Sequence, residues 1–356
     1  MVSLPSASFW NGRRVFLTGH TGFKGSWTSI WLHRLGAQVT GYALAPPTNP
    51  NMFDAAGVET LVEAHHVGDI RDAATLRAAM IEAAPEIILH MAAQPLVRLS
   101  YAQPVETFET NVMGTVNVLE AARQVPDLRA IVSVTTDKCY ENREWQWSYR
   151  ENDPLGGHDP YSASKACAEI VTAAYRSSFA RECDVAIATA RAGNVIGGGD
   201  WALDRLIPDS IAAWDDGRTT LIRRPGAVRP WQHVLEPVCG YLMLAEALVS
   251  RPAEAVAAWN FGPADTDNQP VGYIQDRLAA LLPGYTWRQD GADSAHEAGL
   301  LKLDSSRARA LLGWQSRWSL DEALARTVEW HRAWRDGRNV LDVTLAQIDA
   351  YGGPRG

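Results

Sequence analysis

Through the first half of the chain, short apolar runs alternate with stretches whose apolar residues recur every three or four positions. Val15 to Leu17 is one such run, and Trp27, Ile30, Trp31 and Leu35 then share a helical face that Gly36 closes. Further runs of strand character lie at residues 38–44, 65–70, 86–91, 130–135 and 184–191, with helical patterns over 72–84, 112–123 and 161–179. This regular order predicts an α/β fold, a doubly wound parallel sheet with helices on both faces. From Asn194 onward, Gly197-Gly-Gly-Asp-Trp201, Pro208, Pro225 and Pro230 cut the pattern into shorter elements. A helix over 238–248 and a late strand over 257–261 return to the sheet, and another helix covers 320–334. The expected organisation is a sheet domain of residues 1–193 with a return from about 234–262. A smaller mixed α/β lobe takes 194–233 and 263–356.

Composition narrows the classes. With 356 residues, 46% apolar and 21% charged, the chain is an ordinary globular protein with a large core. A net charge of −8 provides no global field for nucleic acid or an anionic membrane. No apolar run approaches the ~20 residues of a membrane span. Residues 1–10 lack a charged region leading into an apolar one. Cys139, Cys167, Cys183 and Cys239 are scattered without a CxxC pair. No metal site or disulfide framework is therefore expected, and the spacing suits a reducing cytoplasm.

Chemistry enters at Gly19-x-x-Gly22-x-x-Gly25, between the first strand and its helix. Glycines there let backbone approach a pyrophosphate, while the helix N-terminus meets its charge. A tight turn without a ligand uses the same residues, so the spacing alone leaves both readings open. Ligands of such sheets lie beyond the strand C-termini, where Gly19, Asp69, Ala92 and Thr136 should converge. Tyr161 and Lys165 sit one helical turn apart. An ammonium beside a phenol favours phenolate, and moving a tyrosine from ~10 to ~7 takes ~4 kcal/mol. Such a phenolate is a base for a sugar hydroxyl, and Thr136 could orient the same oxygen. An incidental surface pair gives the same spacing, so the joint pattern carries the assignment.

In Thr18–Gly25, Ala92-Ala93, Asn111, Thr136, Tyr161-x-x-x-Lys165 and Arg191-x-x-Asn194, the chain resembles the extended short-chain dehydrogenase/reductase family. The resemblance spans roughly residues 9–330 and implies a Rossmann-type dinucleotide domain with a smaller nucleotide-sugar lobe. It implies NAD held by Gly19, His20, Gly22, Phe23, Lys24, Gly25, Asp69, Ile70, Ala92, Ala93, Tyr161 and Lys165. Tyr161 would be the base for oxidation at sugar C4, and Lys165 would position the cofactor ribose. Epimerases of the family need only Ser/Thr, Tyr and Lys. The adjacent Asp137 and Lys138 fit a 4,6-dehydratase, which also expels the C6 hydroxyl and removes the C5 proton. Related dTDP-glucose dehydratases carry Asp-Glu here, so Lys138 departs from them and can act as a base only when neutral.

The runs Asp137-Lys-Cys-Tyr-Glu-Asn142, Gly22-Phe-Lys-Gly-Ser-Trp27, Gly197-Gly-Gly-Asp-Trp201, Asp204-Arg-Leu-Ile-Pro208 and Arg229-Pro-Trp-Gln-His-Val234 are similar to the branch of that family acting on CDP-glucose. This implies CDP-glucose as substrate and CDP-4-keto-6-deoxy-D-glucose as product. Asn194, Trp201, Arg205 and Arg229 are the candidate substrate-binding residues, with Arg205 and Arg229 suited to a diphosphate. Where NAD-selective sheets place a carboxylate after the second strand, Tyr42-Ala-Leu-Ala45 has none. His20 and Lys24 could tolerate a 2′-phosphate, so NADP stays open. A 4-epimerase, a dehydratase of another nucleotide sugar and a non-catalytic dinucleotide sensor are the alternatives. Relatives associate through helices beside the sheet, so a dimer or tetramer is expected.

Overall fold

In the computed structural model, which describes residues 4–179, 184–290 and 299–353, the predicted alternation forms a single sheet. Cys183 lies outside the described residues. Strands β1 (Arg14–Thr18), β2 (Gln38–Ala43), β3 (Ala64–Val67), β4 (Ile87–His90), β5 (Ala130–Val134) and β6 (Ala186–Ala192) come from the first half. The chain then forms β7 (Asn194–Ile196), β8 (Thr220–Ile222) and β9 (Val228–His233), and returns with β10 (Ala258–Phe261). The seven-stranded sheet has the order β10-β6-β5-β4-β1-β2-β3, every neighbouring pair parallel. β11 (Asn268–Pro270) joins β9 and β7 in a separate sheet, and β12 (Trp287–Gln289) pairs with β8.

Nine of the helices frame the sheets and the site: α1 (Phe23–Arg34), α2 (Ala73–Ala83), α3 (Gly114–Ala122), α4 (Pro160–Ser178), α5 (Leu206–Asp215), α6 (Leu235–Ser250), α7 (Val271–Leu281), α8 (Leu320–Arg335) and α9 (Val340–Gly352). Alternate strand residues feed two apolar layers, as side chains of period two must. Val15, Leu17, Leu89 and Val132 face α1 and α6, whereas Phe16, Ile88, Ile131 and Ile187 face α2 and α3. Both faces being covered, all five residues of β5 are buried. Asp72 and Asp159 cap α2 and α4 through their side chains, accepting the N–H of Ala74 and Thr75 and of Ser162.

The helical stretch expected at 112–123 begins as a π-type turn, Glu109–Met113. A larger difference is α9. The C-terminal part is expected in the substrate lobe, yet Val340, Val343, Ile348 and Tyr351 join the core under the sheet. Tyr351 meets Trp31 of α1 edge-on, with ring centroids 5.6 Å apart. Its hydroxyl donates to Glu236 on α6 at 2.6 Å, and Glu236 also accepts the N–H groups of Arg317 and Trp318. Burial pushes Glu236 up to about 7 against these donors. Among the described residues, no helix is long and apolar enough to cross a membrane.

Candidate active site

The loops after β1 and β4 are fastened together at the carboxyl edge of the sheet. Gly19 has φ +78°, and a Cβ there would come within 2.7 Å of Ala92 N, so the close approach of the two loops needs glycine. Thr18 Oγ1 accepts the N–H groups of Met91 and Ala92, each at 3.1 Å. A Cβ on Gly25 would sit 2.0 Å from Gly19 O, so the third glycine lets α1 pack onto the turn. Gly22 is the N-cap of α1 and offers no side-chain acceptor. The first-turn N–H groups, Phe23 and Lys24 among them, therefore remain for an external anion.

His20 turns inward. Its ring packs on Gly41, where a Cβ would lie 2.3 Å away, and its Nε2 is 2.6 Å from Nδ1 of His65. Burial, reinforced by His65 and His66, brings it down to about 3. A neutral, buried ring cannot receive a 2′-phosphate, which corrects that expectation for His20. Asp69 gives both carboxylate oxygens to Arg71, through its N–H at 2.8 Å, Nε at 2.9 Å and Nη2 at 2.7 Å. Burial raises Asp69, but the Arg71 hydrogen bonds and charge outweigh it and hold the carboxyl below its usual range. Ile70 packs against Gly114, where a Cβ would meet its Cδ1 at 2.4 Å, so its side chain belongs to the core.

Beyond β5, Thr136 starts a single 3₁₀ turn, Asp137–Cys139. Its hydroxyl donates to Asp137 Oδ1 at 3.0 Å and accepts Lys138 N–H at 3.3 Å. Asp137 is 2% exposed, and its second oxygen, Oδ2, is buried with no hydrogen-bond partner among the described residues. Burial pushes this carboxyl up against the opposing charges of Lys138 and Arg229 and the Thr136 hydrogen bond. Such a group tends to hold a proton and to give it up to a leaving oxygen.

Tyr161, in the first turn of α4, is buried beside them. Its N–H donates to Ser100 Oγ at 3.1 Å, and Thr136 acts on its phenol. Asn111 bridges Gln94 in the β4 loop to Ser164, whose hydroxyl donates to Tyr161 O. Lys165 Nζ donates to Val134 O at 3.2 Å, and burial together with Lys24 brings it down to about 7. Burial instead pushes Tyr161 up to about 12, over the opposing effects of Thr136 and Arg205. The expected lowering of the phenol by Lys165 is therefore corrected. Lys165 serves the β5 carbonyl and carries only part of a charge near neutrality.

Lys24 shares this neighbourhood. Burial and then Arg205 lower it to about 8, while Asp137 and Asp200 act in the other direction. Arg205 Nη1 is paired with Asp200 at 2.8 Å. Asn194 and Arg229 lie on the small sheet, where Asn194 stands in register with Trp231 and Arg229 with Gln269. Arg229 is 6% exposed, donates from Nη1 to Val228 O at 2.9 Å, and acts on Asp137. Trp201 meets Trp330 and Trp334 edge-on at 5.7 and 5.0 Å and packs against the main core. Lys138 and Ala93 stand beside the cluster, half-buried.

Sequence reasoning missed Glu169. It lies one turn past Lys165 and accepts Nε and Nη2 of Arg191 at 2.9 and 2.8 Å, with Thr135 and Thr189 as further donors. Arg191 Nη1 reaches Tyr140 OH at 2.8 Å. This buried network holds the residue before Thr136. The signal was available, since Tyr161, Lys165 and Glu169 share one helical face and a carboxylate turned toward a sheet needs a cation. Among the described residues, no group of three metal-ligating side chains occurs.

Sheet order, glycine turn and the cluster of Thr136, Tyr161 and Lys165 define a short-chain dehydrogenase/reductase arrangement. More narrowly, the chain belongs to the GDP-mannose 4,6-dehydratase family, which it matches over residues 16–259. It is 52% identical to the CDP-glucose 4,6-dehydratase of Salmonella typhimurium, over 97% of each chain. It is 30% identical to the dTDP-glucose 4,6-dehydratase of Streptomyces griseus, over 75% of this chain and 78% of that one. Among solved structures, it resembles DesIV, the dTDP-glucose 4,6-dehydratase of Streptomyces venezuelae determined with NAD. That likeness has a TM-score of 0.75 and 26% identity, covering 92% of this chain and 99% of the other.

Proposed function

We propose that this enzyme is a lyase that converts CDP-glucose to CDP-4-keto-6-deoxy-D-glucose and water with NAD as its cofactor. The carrying observation is the buried Asp137 acting on Tyr161, with an oxygen unpartnered among the described residues, and Lys138 next to it in the 3₁₀ turn. Epimerisation at C4 needs neither. CDP as the nucleotide is supported by the Salmonella relative, which matches nearly the whole chain.

The donor set fits NAD. Gly19, Gly22 and Gly25 leave room for close backbone approach, and the uncapped start of α1 suits a pyrophosphate. In this reading Gly19, His20 through its backbone, Gly22, Phe23, Lys24 and Gly25 hold the diphosphate of the cofactor. Ala92, Ala93 and Lys165 line its nicotinamide half. Asp69 and Ile70 lie toward the adenine. Bound there, NAD supplies a two-electron oxidation at C4, its reversal at C6, and a positive charge beside the phenol.

The chain's own groups handle the protons. Tyr161 takes the C4 hydroxyl proton while Thr136 orients the same oxygen. The resulting C4 ketone acidifies the C5 hydrogen, which Lys138 removes as a proton and returns to C5 once C6 has been reduced. Asp137 gives its proton to the departing C6 hydroxyl, so that water leaves. Asn194 and Arg229 hold the substrate diphosphate at the small sheet. Residues 1–193, the return from 234–262 and α9 make the dinucleotide half, and the remainder makes the sugar-nucleotide half.

The enzyme works in the cytoplasm as a dimer or tetramer. Tyr101, Val105, Phe108, Met113 and Ile170 expose apolar surface on helices beside the sheet, a surface suited to a second copy of the chain. Replacing Val105 and Ile170 together by Lys should yield monomer in sedimentation velocity; an unchanged assembly would place the interface elsewhere.

The reading is tested by incubating the protein with CDP-glucose and NAD. The expected product is the 4-keto-6-deoxy sugar nucleotide with no net accumulation of reduced cofactor. Recovery of CDP-galactose alone would instead favour an epimerase. Turnover confined to dTDP- or GDP-sugars would remove CDP-glucose as substrate. Binding of NAD without turnover of any sugar nucleotide would favour a sensor.

A further inference from the structure

Asp137 and Lys138 share one 3₁₀ turn whose own hydrogen bonds are long. Cys139 N–H reaches Thr136 O at 3.4 Å, and Tyr140 N–H reaches Asp137 O at 3.5 Å. A single 3₁₀ turn of that geometry holds its side chains poorly, whereas proton transfer needs groups placed to within about 0.5 Å. The turn is fixed from its two ends instead. Before it, Thr135 N–H donates to Ala190 O at 2.8 Å, and the Thr135 hydroxyl donates to Glu169. After it, the buried Tyr140 hydroxyl accepts Arg191 Nη1 at 2.8 Å and donates to Asn260 Oδ1 at 2.7 Å. Glu169 and Arg191 are joined to each other through both carboxylate oxygens, each side chain 3% exposed. One ion pair therefore grips both ends of the turn.

We infer that Tyr140, through its hydroxyl, is a positioning residue that holds Asp137 and Lys138 for the loss of water. Oxidation at C4 does not depend on it. The inference rests on the dehydratase reading above.

The asymmetry follows from where each group is anchored. Thr136 enters from β5 on the side gripped by Glu169, and Tyr161 stands on α4 with its own backbone bond to Ser100. Neither uses the Tyr140 hydroxyl. The exit of the turn has that hydroxyl as its tie to the interior, and Asn260 on β10 extends the tie. Asn260 Nδ2 donates to Tyr149 O at 2.9 Å and to Asp304 O at 3.1 Å, so the loop beyond the turn closes on the same point. The Tyr140 ring adds a stack on Tyr149 at 5.1 Å and a face for the Arg191 guanidinium at 4.9 Å. A buried ion pair is weak evidence for net stability, since desolvation of both charges offsets their attraction. Its geometry here accounts for it as a fixture of the turn.

The test follows reduced cofactor by its absorbance in a single turnover of CDP-glucose, with the full chain at saturating NAD. The signal rises as C4 is oxidised and falls as the hydride returns to C6. Tyr140→Phe keeps the ring contacts and removes only the hydroxyl. Its rise should stay within about twofold of wild type, while its fall and the appearance of 4-keto-6-deoxy product slow by about tenfold or more. Calorimetric titration should find CDP bound within about twofold of wild type. A merely structural lesion would slow rise and fall alike, and that result overturns the assignment, as does an unchanged fall. CDP binding weakened about tenfold or more also overturns it, since the hydroxyl would then serve the nucleotide. If Tyr140→Phe does not fold, Arg191→Lys decides by the same two phases, because a lone ammonium cannot serve both Glu169 oxygens and Tyr140. Wild-type protein that forms no 4-keto-6-deoxy product defeats the dehydratase reading. An active wild type beside a variant whose phases do not separate defeats this assignment alone.

Discussion

Tyr161→Phe is expected to lower turnover of CDP-glucose by about a thousandfold, in the range of lost general-base catalysis. The change removes one oxygen from a buried ring and leaves the backbone bond to Ser100 in place. Thr136 keeps its hydrogen bond to Asp137, so no new orphaned donor is created. Thermal stability should therefore change by about 1 kcal/mol or less, and CDP should bind as before. Mass spectrometry should find neither the 4-keto-6-deoxy product nor an unreduced 4-keto sugar nucleotide. Product formation at more than about a tenth of the normal rate would remove Tyr161 from the base role. A pH effect accompanies the loss. The chain alone holds the phenol up at about 12, so wild-type kcat/KM should rise on the alkaline side of neutrality, while Tyr161→Phe should show no such limb.

Lys138→Met separates the two halves of the reaction. Oxidation at C4 relies on Tyr161 and Thr136, which the substitution does not touch. Elimination relies on removal of the C5 proton, and should slow by roughly 10²- to 10⁴-fold. In deuterated water the wild-type enzyme should exchange the C5 hydrogen, and the variant should not. Met preserves the length and apolar stem of Lys at this half-buried position, so a folding defect is not expected. Normal formation of product by Lys138→Met would show that another group removes the C5 proton. Asp137 would then be the neighbour to test, since its unpartnered oxygen lies in the same cluster.

How much of this could be read from residue order differs by level. The parallel sheet was legible because apolar runs and helical stripes alternate, and the runs on β1, β4 and β5 sit on strands buried from both faces. Of the four residues expected to converge, Gly19, Asp69, Ala92 and Thr136, the meeting of Gly19 and Ala92 followed from strand ends alone. Charge states were not legible, since they depend on burial. Spacing placed Lys165 beside Tyr161 but said nothing of the Val134 carbonyl that engages it or of the apolar surroundings that raise the phenol. His20 looked like a cation of the glycine turn because nothing in the order of residues tells that its ring packs on Gly41. The helical face shared by Tyr161, Lys165 and Glu169 pointed to a buried carboxylate, but not to Arg191, 22 positions on and on another element, as its partner. The expectation for α9 fails for a related reason. Its apolar face is visible in sequence, but the partner of that face is α1, at the opposite end of the chain.

That last packing bears on how the protein is made. α1 carries the end of the glycine turn, yet its Trp31 finds the Tyr351 partner only after the long stretch of chain between them has been made. Leu4 lies 3.9 Å from where a Cβ on Gly352 would stand, so the segment before β1 and the end of α9 meet at this seam. Until α9 arrives, part of the apolar flank of α1 stays wet, and the emerging sheet must be kept from sticking to its neighbours by other means. The nucleotide turn is thus encoded early and sealed late.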